Sequence, residues 1–361
     1  MAPIVLPANQ PPARFYLGGP QISAFRSDKP SGPNEPEDWV ASTTCCLGCA
    51  SSKLGMTVLP NGRLLADAIA ADPEYWLGAA HVAAFGTDTK LLVKLLDAGQ
   101  RLPVHAHPHR DWAREHVGAR HGKAEAWYLL TPGEVDLGLK EDVTHEELLG
   151  LVERQDVQGM LGRMHRLDVE AHQTVYVPPG TLHAIGEGVF LIEVREPQDL
   201  SILCDWKGFD IDGFKDGHLG LGFEKALTAV NTGGLTRGEA DSLVTSEASI
   251  GSALPDVAKE YFDLERLEIR GKKVLRSGFA VLVVCEGALE MWVAGEKKLD
   301  VNKGKTLVVP SGDGELELKG FGEVVVVRPP RGQQAEETFI KVGSGLERKT
   351  SQSHPNIVQV I

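Results

Sequence analysis

The sequence predicts a mainly β protein of two related barrel domains, with a small helical insertion in the first. Many short β-prone runs are separated by glycine or charged turns, most clearly after Tyr261. The 40 glycines and 21 prolines fit many short strands joined by tight turns. A weak repeat also relates the two halves, because Val177-Pro-Pro-Gly leads to His183 and Val309-Pro-Ser-Gly leads to Glu315 at the corresponding position.

The first half is expected to contain strands with helical interruptions, mainly between residues 14 and 140. Asp72 followed by proline favours an N-cap and a short helix through Leu77. Residues 90–98 form a mixed apolar run. Residues 102–107 and 126–130 are predicted as strands that carry or flank the candidate metal ligands.

Helical patterns replace the β pattern from Thr144 onward. Thr144 and Glu147 have the spacing of a capping box, and apolar residues follow at helical intervals. A second helical piece over 157–165 completes an insertion near residues 141–166. The elements predicted after it are strands at 173–178 and 188–194, a helix at 237–246, and strands at 278–284, 289–292, 306–309 and 323–327.

The domain division follows from this order of patterns. We predict a metal-binding catalytic domain at residues 1–250 and a second barrel, without metal ligands, at residues 258–361. The mixed segment 207–260 carries the chain between them, and no His-x-His pair occurs in the second half. A chain of 361 residues is long enough for two such units.

Three histidines and one glutamate form a candidate metal site. His105 and His107 are a His-x-His pair, and residues i and i+2 of a strand point to the same face. His183 and Glu125 would approach from neighbouring strands. Imidazole nitrogens with a carboxylate suit a first-row divalent metal, with zinc the first choice and iron, manganese or nickel as alternatives. Taken alone, a His-x-His pair also fits an ordinary polar strand face.

Composition limits the classes of partner. The formal net charge of −13 argues against an extended nucleic-acid-binding surface, although it leaves room for a small basic pocket. No apolar run reaches the roughly 18 residues of a transmembrane helix. Residues 1–10 lack the basic and apolar regions of a signal peptide. We therefore expect a cytoplasmic protein that binds a small molecule and neither nucleic acid nor membrane, with its oligomeric state open.

The five cysteines do not have the number or density of a disulfide framework. Cys45, Cys46 and Cys49 cluster, but no second pair follows at the spacing of a zinc site. Reduced thiols buried beside small residues are the preferred interpretation, with a zinc site as the alternative.

Five segments resemble class I mannose-6-phosphate isomerases of the shorter bacterial type, in the cupin superfamily. Residues 102–108, 122–128 and 179–186 resemble the family's LSVQVHP, GKTExWY and PAGTxHAIG segments, in order and at family spacing. Residues 37–42 and 204–206 are similar to its EAWxxS and YDW segments. The resemblance covers most of the chain and implies two cupin-type jelly-roll barrels and a metal-dependent enzyme.

Carried over position by position, the resemblance places the metal ligands on His105, His107, Glu125 and His183. The family has glutamine at the first of these positions, and imidazole there makes the site slightly softer. The family's lysine near the substrate falls on Lys123.

Glu193 aligns with the family's strand carboxylate. Two other positions depart from the family pattern. The phosphate-contacting serine is Pro103 here, and the active-site arginine aligns with Ile202 or Leu203. Arg195 or Lys207 is a candidate replacement, and the departures leave open whether the sugar is phosphorylated.

Two of these residues also have a purely structural interpretation. Lys123 lies two residues from Glu125 on one strand face, so it either contacts substrate or only forms an ion pair. Glu193 lies in an apolar strand, where a carboxylate needs a partner or a role, and acid–base catalysis is the functional hypothesis.

The resemblance implies an aldose–ketose isomerase that interconverts a sugar or sugar phosphate through a cis-enediol. A metal would polarise the carbonyl, Glu193 would move the proton, and Lys123 and Arg195 would assist. Two alternatives stay open. His105 also suits a metal-dependent cupin oxygenase or epimerase, and the missing arginine also suits a sugar-binding or regulatory protein without turnover.

Overall fold

The computed structural model describes residues 3–47, 53–245 and 252–331, and the backbone of 340–342 and 345–347. As predicted, this part of the chain is mainly β, and its strands form three large sheets in which all pairings are antiparallel. The strands are β1 (Ile4–Leu6), β2 (Glu37–Val40), β3 (Leu92–Asp97), β4 (His105–Ala106), β5 (Glu125–Leu129), β6 (Gly133–Leu139), β7 (Met164–Val169), β8 (Thr174–Val177), β9 (His183–Ile185), β10 (Phe190–Arg195), β11 (Ile202–Leu203), β12 (Val244–Thr245), β13 (Asp263–Leu275), β14 (Ala280–Val293), β15 (Glu296–Asn302), β16 (Thr306–Val309), β17 (Leu316–Arg328), β18 (Ile340–Val342) and β19 (Gly345–Glu347). The helices are α1 (Gln21–Arg26), α2 (Leu65–Ala71), α3 (Pro73–Leu77), α4 (Ala79–Phe85), α5 (Arg110–Val117), α6 (His145–Glu153), α7 (Val157–Arg163), α8 (Gly213–Asp216), α9 (Phe223–Ala226) and α10 (Arg237–Ser242).

Two sheets of the first half face each other as a jelly-roll sandwich. The six-stranded sheet has the order β12-β8-β5-β10-β3-β2, and the five-stranded sheet has the order β11-β4-β9-β6-β7. Side chains from both sheets share one buried cluster, which includes Trp127 and Leu191 from the first and Leu137 and Leu167 from the second. The candidate site lies between the same two sheets.

The third sheet belongs to the second half, with one exception. Its path is β1-β16-β14-β17-β13, with β15 paired to β14, so the first strand of the chain closes one edge of it. Its inner face packs on the six-stranded sheet, because Val281 and Val327 share a core with Tyr128 and Ile192. The Tyr128 hydroxyl donates to Glu323 Oε1 at 2.6 Å across this junction. The division at residues 250–258 remains a prediction.

The internal repeat corresponds to two similar pieces of structure. β8 and β16 are both four-residue strands that are buried throughout, and each is followed at once by Pro-x-Gly. Gly180 in the first copy has a φ of +84°, a conformation that glycine adopts without strain. The repeat therefore marks the same strand-to-turn connection in each half.

Several local predictions are confirmed. The Asp72 side chain accepts a hydrogen bond from Tyr75 N at the start of α3, with proline at the first helical position. Thr144 and Glu147 form the predicted capping box of α6. The helix predicted over 157–165 ends earlier, at Arg163, because β7 begins at once and pairs with β6. The helix predicted over 237–246 spans Arg237–Ser242, and residue 246 lies outside the described residues.

Other local predictions are wrong. Only His105 and Ala106 of the predicted strand 102–107 form a strand, and Pro103 has no N–H to donate to a ladder. The predicted strands 278–284 and 289–292 are one strand, β14, with a register shift between Val284 and Glu286. Sequence patterns also missed the helices α2 and α4 on either side of α3, and the helix α5.

The α6 capping box should contribute measurably to stability. Thr144 Oγ1 accepts from Glu147 N at 3.1 Å, and Glu147 Oε2 accepts from Thr144 N at 2.8 Å. Because alanine cannot accept the first bond, Thr144→Ala is expected to lower the free energy of unfolding by about 1 kcal/mol. Urea unfolding followed by circular dichroism would measure this loss. Thr144→Ser keeps the hydroxyl and is the matched control; an equal loss in both variants would contradict the capping role.

Two features bear on the expectations from composition. None of the helices in the described ranges is long and apolar enough to span a bilayer. Cys45 is half-buried, Cys46 is buried, and both are free thiols. Cys49 lies outside the described residues. Burial raises the pKa of the Cys46 thiol to about 12, which keeps it protonated and unreactive.

Candidate metal centre and active-site pocket

Three buried histidines converge between the two facing sheets. His105 on β4 and His183 on β9 are directly opposite each other in the ladder, so their side chains leave the same face. His107 follows just beyond the end of β4. One nitrogen from each ring lies within 4.8 Å of those of the other two. The structure therefore brings together the three histidines singled out in the sequence.

Backbone carbonyls fix the orientation of two of these rings. His105 Nδ1 donates to the carbonyl of Pro103 at 2.7 Å, and His183 Nδ1 donates to that of Thr181 at 2.9 Å. A carbonyl only accepts, so the other nitrogen, Nε2, of each ring is a free acceptor in the neutral form. Burial, followed by the neighbouring histidines, lowers the pKa of His105 well below its ordinary value. Imidazole rings oriented in this way direct Nε2 toward the centre, where it can bind a metal.

Glu125 supplies the carboxylate from the opposite sheet. Its Oε2 lies 3.1 Å from His107 Nε2, and its Oε1 lies 3.4 Å from His183 Nε2. Trp127 Nε1 donates to Oε1 at 2.9 Å and holds the carboxylate in place. Burial alone would raise the pKa of Glu125, but His107 and Lys123 outweigh it and the pKa is well below the ordinary value.

The residues present fit a divalent metal ion. Glu125 Oε2 and His183 Nε2 are fully buried, and no described residue makes a hydrogen bond of normal geometry with either atom. Buried polar atoms are seldom left in this state without a reason. Three imidazole nitrogens and one carboxylate oxygen are a common donor set for such ions.

A small pocket, about 40 Å³ in volume, opens beside these groups, and His105 and Glu125 are part of its lining. Lys123, Glu193 and Arg195, the three residues predicted to be catalytic, all line it. Strand register explains the convergence, because Arg195 pairs with Glu125 across β10 and β5, and Glu193 lies two residues earlier on the same face.

The ammonium group of Lys123 lies beside the candidate ligands. Its Nζ is 2.7 Å from His107 Nε2, 3.6 Å from Glu125 Oε2 and 3.4 Å from Ser201 Oγ. Burial and then Arg195 lower the pKa of Lys123 to about 7. Lys123 thus forms the predicted ion pair and also lines the pocket, and its contact with a substrate stays a prediction.

Glu193 is held by two cations. Arg195 Nε lies 3.0 Å from Glu193 Oε1, and Lys94 Nζ lies 3.7 Å from the same oxygen. Lys94 is directly opposite Glu193 in the β3–β10 ladder. Lys94 was not predicted as a site residue, although a lysine within the apolar run 90–98 could have suggested a buried role.

Glu37 on β2 is the centre of a second group that the sequence analysis did not assign to the site. It accepts from the Tyr16 hydroxyl at 2.5 Å, from Lys94 Nζ at 2.7 Å and from Trp39 Nε1 at 2.9 Å. Arg14 Nε lies 3.1 Å from Oε2, the oxygen that also accepts from Trp39, whereas Tyr16 and Lys94 donate to Oε1. Burial would raise the pKa of Glu37, but Arg14 and then Lys94 outweigh it and hold the pKa far below the ordinary value.

Asp199 completes the network by joining two arginines. Its Oδ1 accepts from Arg195 at 3.0 Å, and its Oδ2 lies 3.5 Å from Arg14 NH1. Arg195 is only four residues from Asp199, but Arg14 is 185 residues away, so no local pattern indicates that Asp199 joins the two arginines. The three long cations Arg14, Lys94 and Arg195 also surround the Trp39 ring at 4.7–6.0 Å from its centroid.

Breaking this network at Glu37 should be costly. Glu37→Gln keeps the size of the side chain but leaves Lys94 and Arg14 without their shared carboxylate, so the free energy of unfolding is expected to fall by about 3 kcal/mol. The folded-state pKa of Glu37 is depressed, so its contribution is complete above the unfolded value of about 4.3 and is lost as the pH falls below it. Urea midpoints measured from neutral to acidic pH would test both expectations.

A surface glutamate provides the control for that experiment. Glu134 pairs with Arg166 at 3.5 Å, and both side chains are more than half exposed. Glu134→Gln should therefore change stability by no more than about 0.5 kcal/mol. If Glu37→Gln had a similarly small effect at neutral pH, the buried network would not contribute as described.

Several known proteins that resemble this chain are mannose-6-phosphate isomerases. The family model for the cupin domain of mannose-6-phosphate isomerase matches residues 255–329. A mannose-6-phosphate isomerase of Bacillus subtilis is 28% identical over 290 residues, which cover 78% of this chain and 88% of the relative. One from Streptococcus mutans is 27% identical over 281 residues, covering 73% and 83%. The chain is thus similar over most of its length to these mannose-6-phosphate isomerases.

Solved structures of this family share the fold. A mannose 6-phosphate isomerase from Bacillus subtilis matches with a TM-score of 0.71 at 20% identity, over 91% of this chain and 100% of the other. A variant of the phosphomannose isomerase from Salmonella typhimurium matches with a TM-score of 0.70 at 15% identity, over 91% and 100%. The predicted cupin-type jelly-roll fold is confirmed.

The departures from the mannose-6-phosphate isomerase pattern can be located in the pocket. Pro103 and Leu203 line it, whereas Ile202 does not. Lys207, one candidate replacement for the family's arginine, is exposed and is not part of the lining. Arg195, the other candidate, does line the pocket, but Glu193 and Asp199 already pair with it.

Proposed function

We propose that this protein is a metal-dependent aldose–ketose isomerase that acts on a sugar through a cis-enediol. The observation that carries the proposal is the set of three histidines and Glu125 beneath a pocket that Lys123 and Glu193 also line. The mannose-6-phosphate isomerases to which the chain is similar support the same reaction class. This reaction moves a proton between adjacent carbons and needs no external oxidant or reductant.

His105, His107, His183 and Glu125 would hold the ion, and we propose zinc as the metal. A bound divalent metal supplies a Lewis acid that polarises a carbonyl oxygen. The lowered pKa values of His105 and His107 and the ionised Glu125 give the protonation states that ligation requires.

The chain's own residues would move the proton and orient the sugar. Glu193 is the proposed base, because its carboxylate lines the pocket and Arg195 and Lys94 steady one of its oxygens. Lys123 can donate hydrogen bonds to the oxygens of the reacting carbons. Arg195 positions Glu193, and residues 1–250 form the proposed catalytic unit in a cytoplasmic protein.

The test is metal analysis followed by a panel of aldoses and their 6-phosphates. Purified protein is loaded with zinc, manganese, iron or nickel, and ketose formation is followed by proton NMR. We expect ketose formation with zinc and its loss after chelation. No turnover of any aldose in fully loaded protein would contradict the proposal. Oxygen consumption by the iron form would favour a cupin oxygenase instead.

A further inference from the structure

Among the residues that the structure describes, four cationic and four carboxylate side chains line the pocket and form its charged wall. The cations are Arg14, Lys94, Lys123 and Arg195, and the carboxylates are Glu37, Glu125, Glu193 and Asp199. All eight side chains are at least four-fifths buried, and seven of them are more than nine-tenths buried. With Lys123 protonated the wall has no net charge before a metal is added, and with Lys123 neutral it has one negative charge; neither state leaves a surplus of positive charge.

Each of these cations is already engaged by a carboxylate of the same wall. Lys94 Nζ is 2.7 Å from Glu37 Oε1. Arg195 reaches Asp199 Oδ1 at 3.0 Å with one nitrogen and Glu193 with another.

The two remaining cations, Arg14 and Lys123, are also paired with carboxylates of the wall. Arg14 reaches Glu37 at 3.1 Å and Asp199 at 3.5 Å, and Lys123 reaches Glu125 at 3.6 Å. An anionic group of a ligand would have to compete with carboxylates for every one of these cations.

The rest of the lining offers little to a phosphate group. It consists mostly of apolar side chains, with Ser201 and Tyr16 as hydroxyl groups; the apolar residues are Phe15, Leu96, Leu102, Pro103, Ile185 and Leu203. A phosphate moved from water into such a wall would lose its hydration without gaining an unpaired cation. Sugar hydroxyls can instead donate to the carboxylates and accept from guanidinium and ammonium groups.

We infer that the pocket selects an uncharged aldose over its 6-phosphate. This inference rests on the proposed function, because it names the substrate class of the same site. The charge of a divalent metal would lie at the three histidines, where the reacting oxygens are proposed to bind, and not at the far end of the sugar. Leu203 is the position at which a charge would change this preference, since it lines the pocket and is directly opposite His105 in the β11–β4 ladder.

The first experiment compares D-mannose with D-mannose 6-phosphate on the zinc-loaded full chain. Binding is measured by calorimetry and turnover by NMR, so the two proposals can fail separately. The free sugar is expected to bind at least about tenfold more tightly, and to have the larger kcat/KM by a similar factor. Preference for the free sugar in binding without turnover would support the inference and contradict the isomerase. Tighter binding or faster turnover of the 6-phosphate, or no binding of either, would overturn the inference.

The second experiment places a cation in the wall. Leu203→Arg adds a fifth cation to a wall with four carboxylates, and Leu203→Met is the neutral control of similar size. The ratio of 6-phosphate to free-sugar affinity is expected to rise at least about tenfold in the arginine variant relative to the methionine variant. An unchanged ratio in folded Leu203→Arg protein would contradict the charge argument. If Leu203→Arg does not fold, the comparison of the two sugars on the wild-type protein tests the inference by itself.

Discussion

Replacing His183 with alanine is expected to release the metal ion and abolish isomerase activity. His183 is fully buried, its Nδ1 is held by the Thr181 carbonyl, and its Nε2 faces Glu125 at 3.4 Å. Changes to residues that only orient a ligand already weaken metal binding by about 10- to 100-fold, so loss of a ligand should cost more. Metal content after dialysis, measured by plasma mass spectrometry, checks the first expectation, and ketose formation checks the second.

A second buried histidine serves as the control for this variant. His165 on β7 lies in the same five-stranded sheet, and its ring bonds the Leu235 carbonyl at 2.7 Å. His165→Ala removes a similar volume and one hydrogen bond but no candidate ligand, so it should retain the metal. The assignment of the metal site would be wrong if His183→Ala bound zinc as tightly as the wild type.

Replacing Glu193 with glutamine is expected to lower kcat about a thousandfold while the metal stays bound. A positioned acid or base contributes about 10²- to 10⁴-fold to a proton transfer, and an amide cannot take the proton. None of the four candidate ligands is altered, so metal content should be that of the wild type. The rate at which the C2 hydrogen of the sugar exchanges with deuterium from the solvent should fall together with kcat.

Glu193 also neutralises buried cations, so the experiment must separate the two roles. Glutamine leaves Arg195 with Asp199 and Lys94 with Glu37, and some loss of stability is expected in addition to the loss of rate. Glu193→Asp retains a carboxylate and should recover part of the activity. If the glutamine variant were less stable but exchanged the C2 hydrogen at the wild-type rate, Glu193 would be structural only.

The candidate metal site could be predicted from the sequence because its signals are local. His105 and His107 are two residues apart, and Glu125 and His183 occur in short segments with a recognisable pattern. Strand periodicity predicts that residues so spaced share a face, and His107 reaches the site although it lies just beyond the end of β4. The helix caps at Asp72 and Thr144 were predictable for the same reason, since each depends on residues within one turn.

The wall of the pocket could not be predicted in this way. Glu37, Lys94 and Asp199 meet only because β2, β3 and the segment after β10 are brought together by the fold. In sequence each is an ordinary charged residue, and such residues are mostly exposed. Ion pairing across separations of 57 to 185 residues has no local pattern that would reveal it.

Strand lengths were missed for a related reason. β4 has two residues because its neighbours β9 and β11 pair with it only around His105. β14 continues past Cys285 because β17 accompanies it on both sides of a register shift. Where a strand stops is thus decided by its partner, and the partner is not visible in the strand's own residues.

The pairing of β1 with β16 matters for the design of truncated or tagged forms of this chain. Ile4–Leu6 cover the outer edge of β16, although every other strand of that sheet comes from residues after 262. In a fragment expressed from the second half alone, β16 would be an exposed edge strand whose four residues are buried in the full chain. Such an edge can pair with a strand of another molecule. Affinity tags are therefore better separated from Ile4 by a flexible spacer, and fragments of the second half better supplied with the first strand in trans.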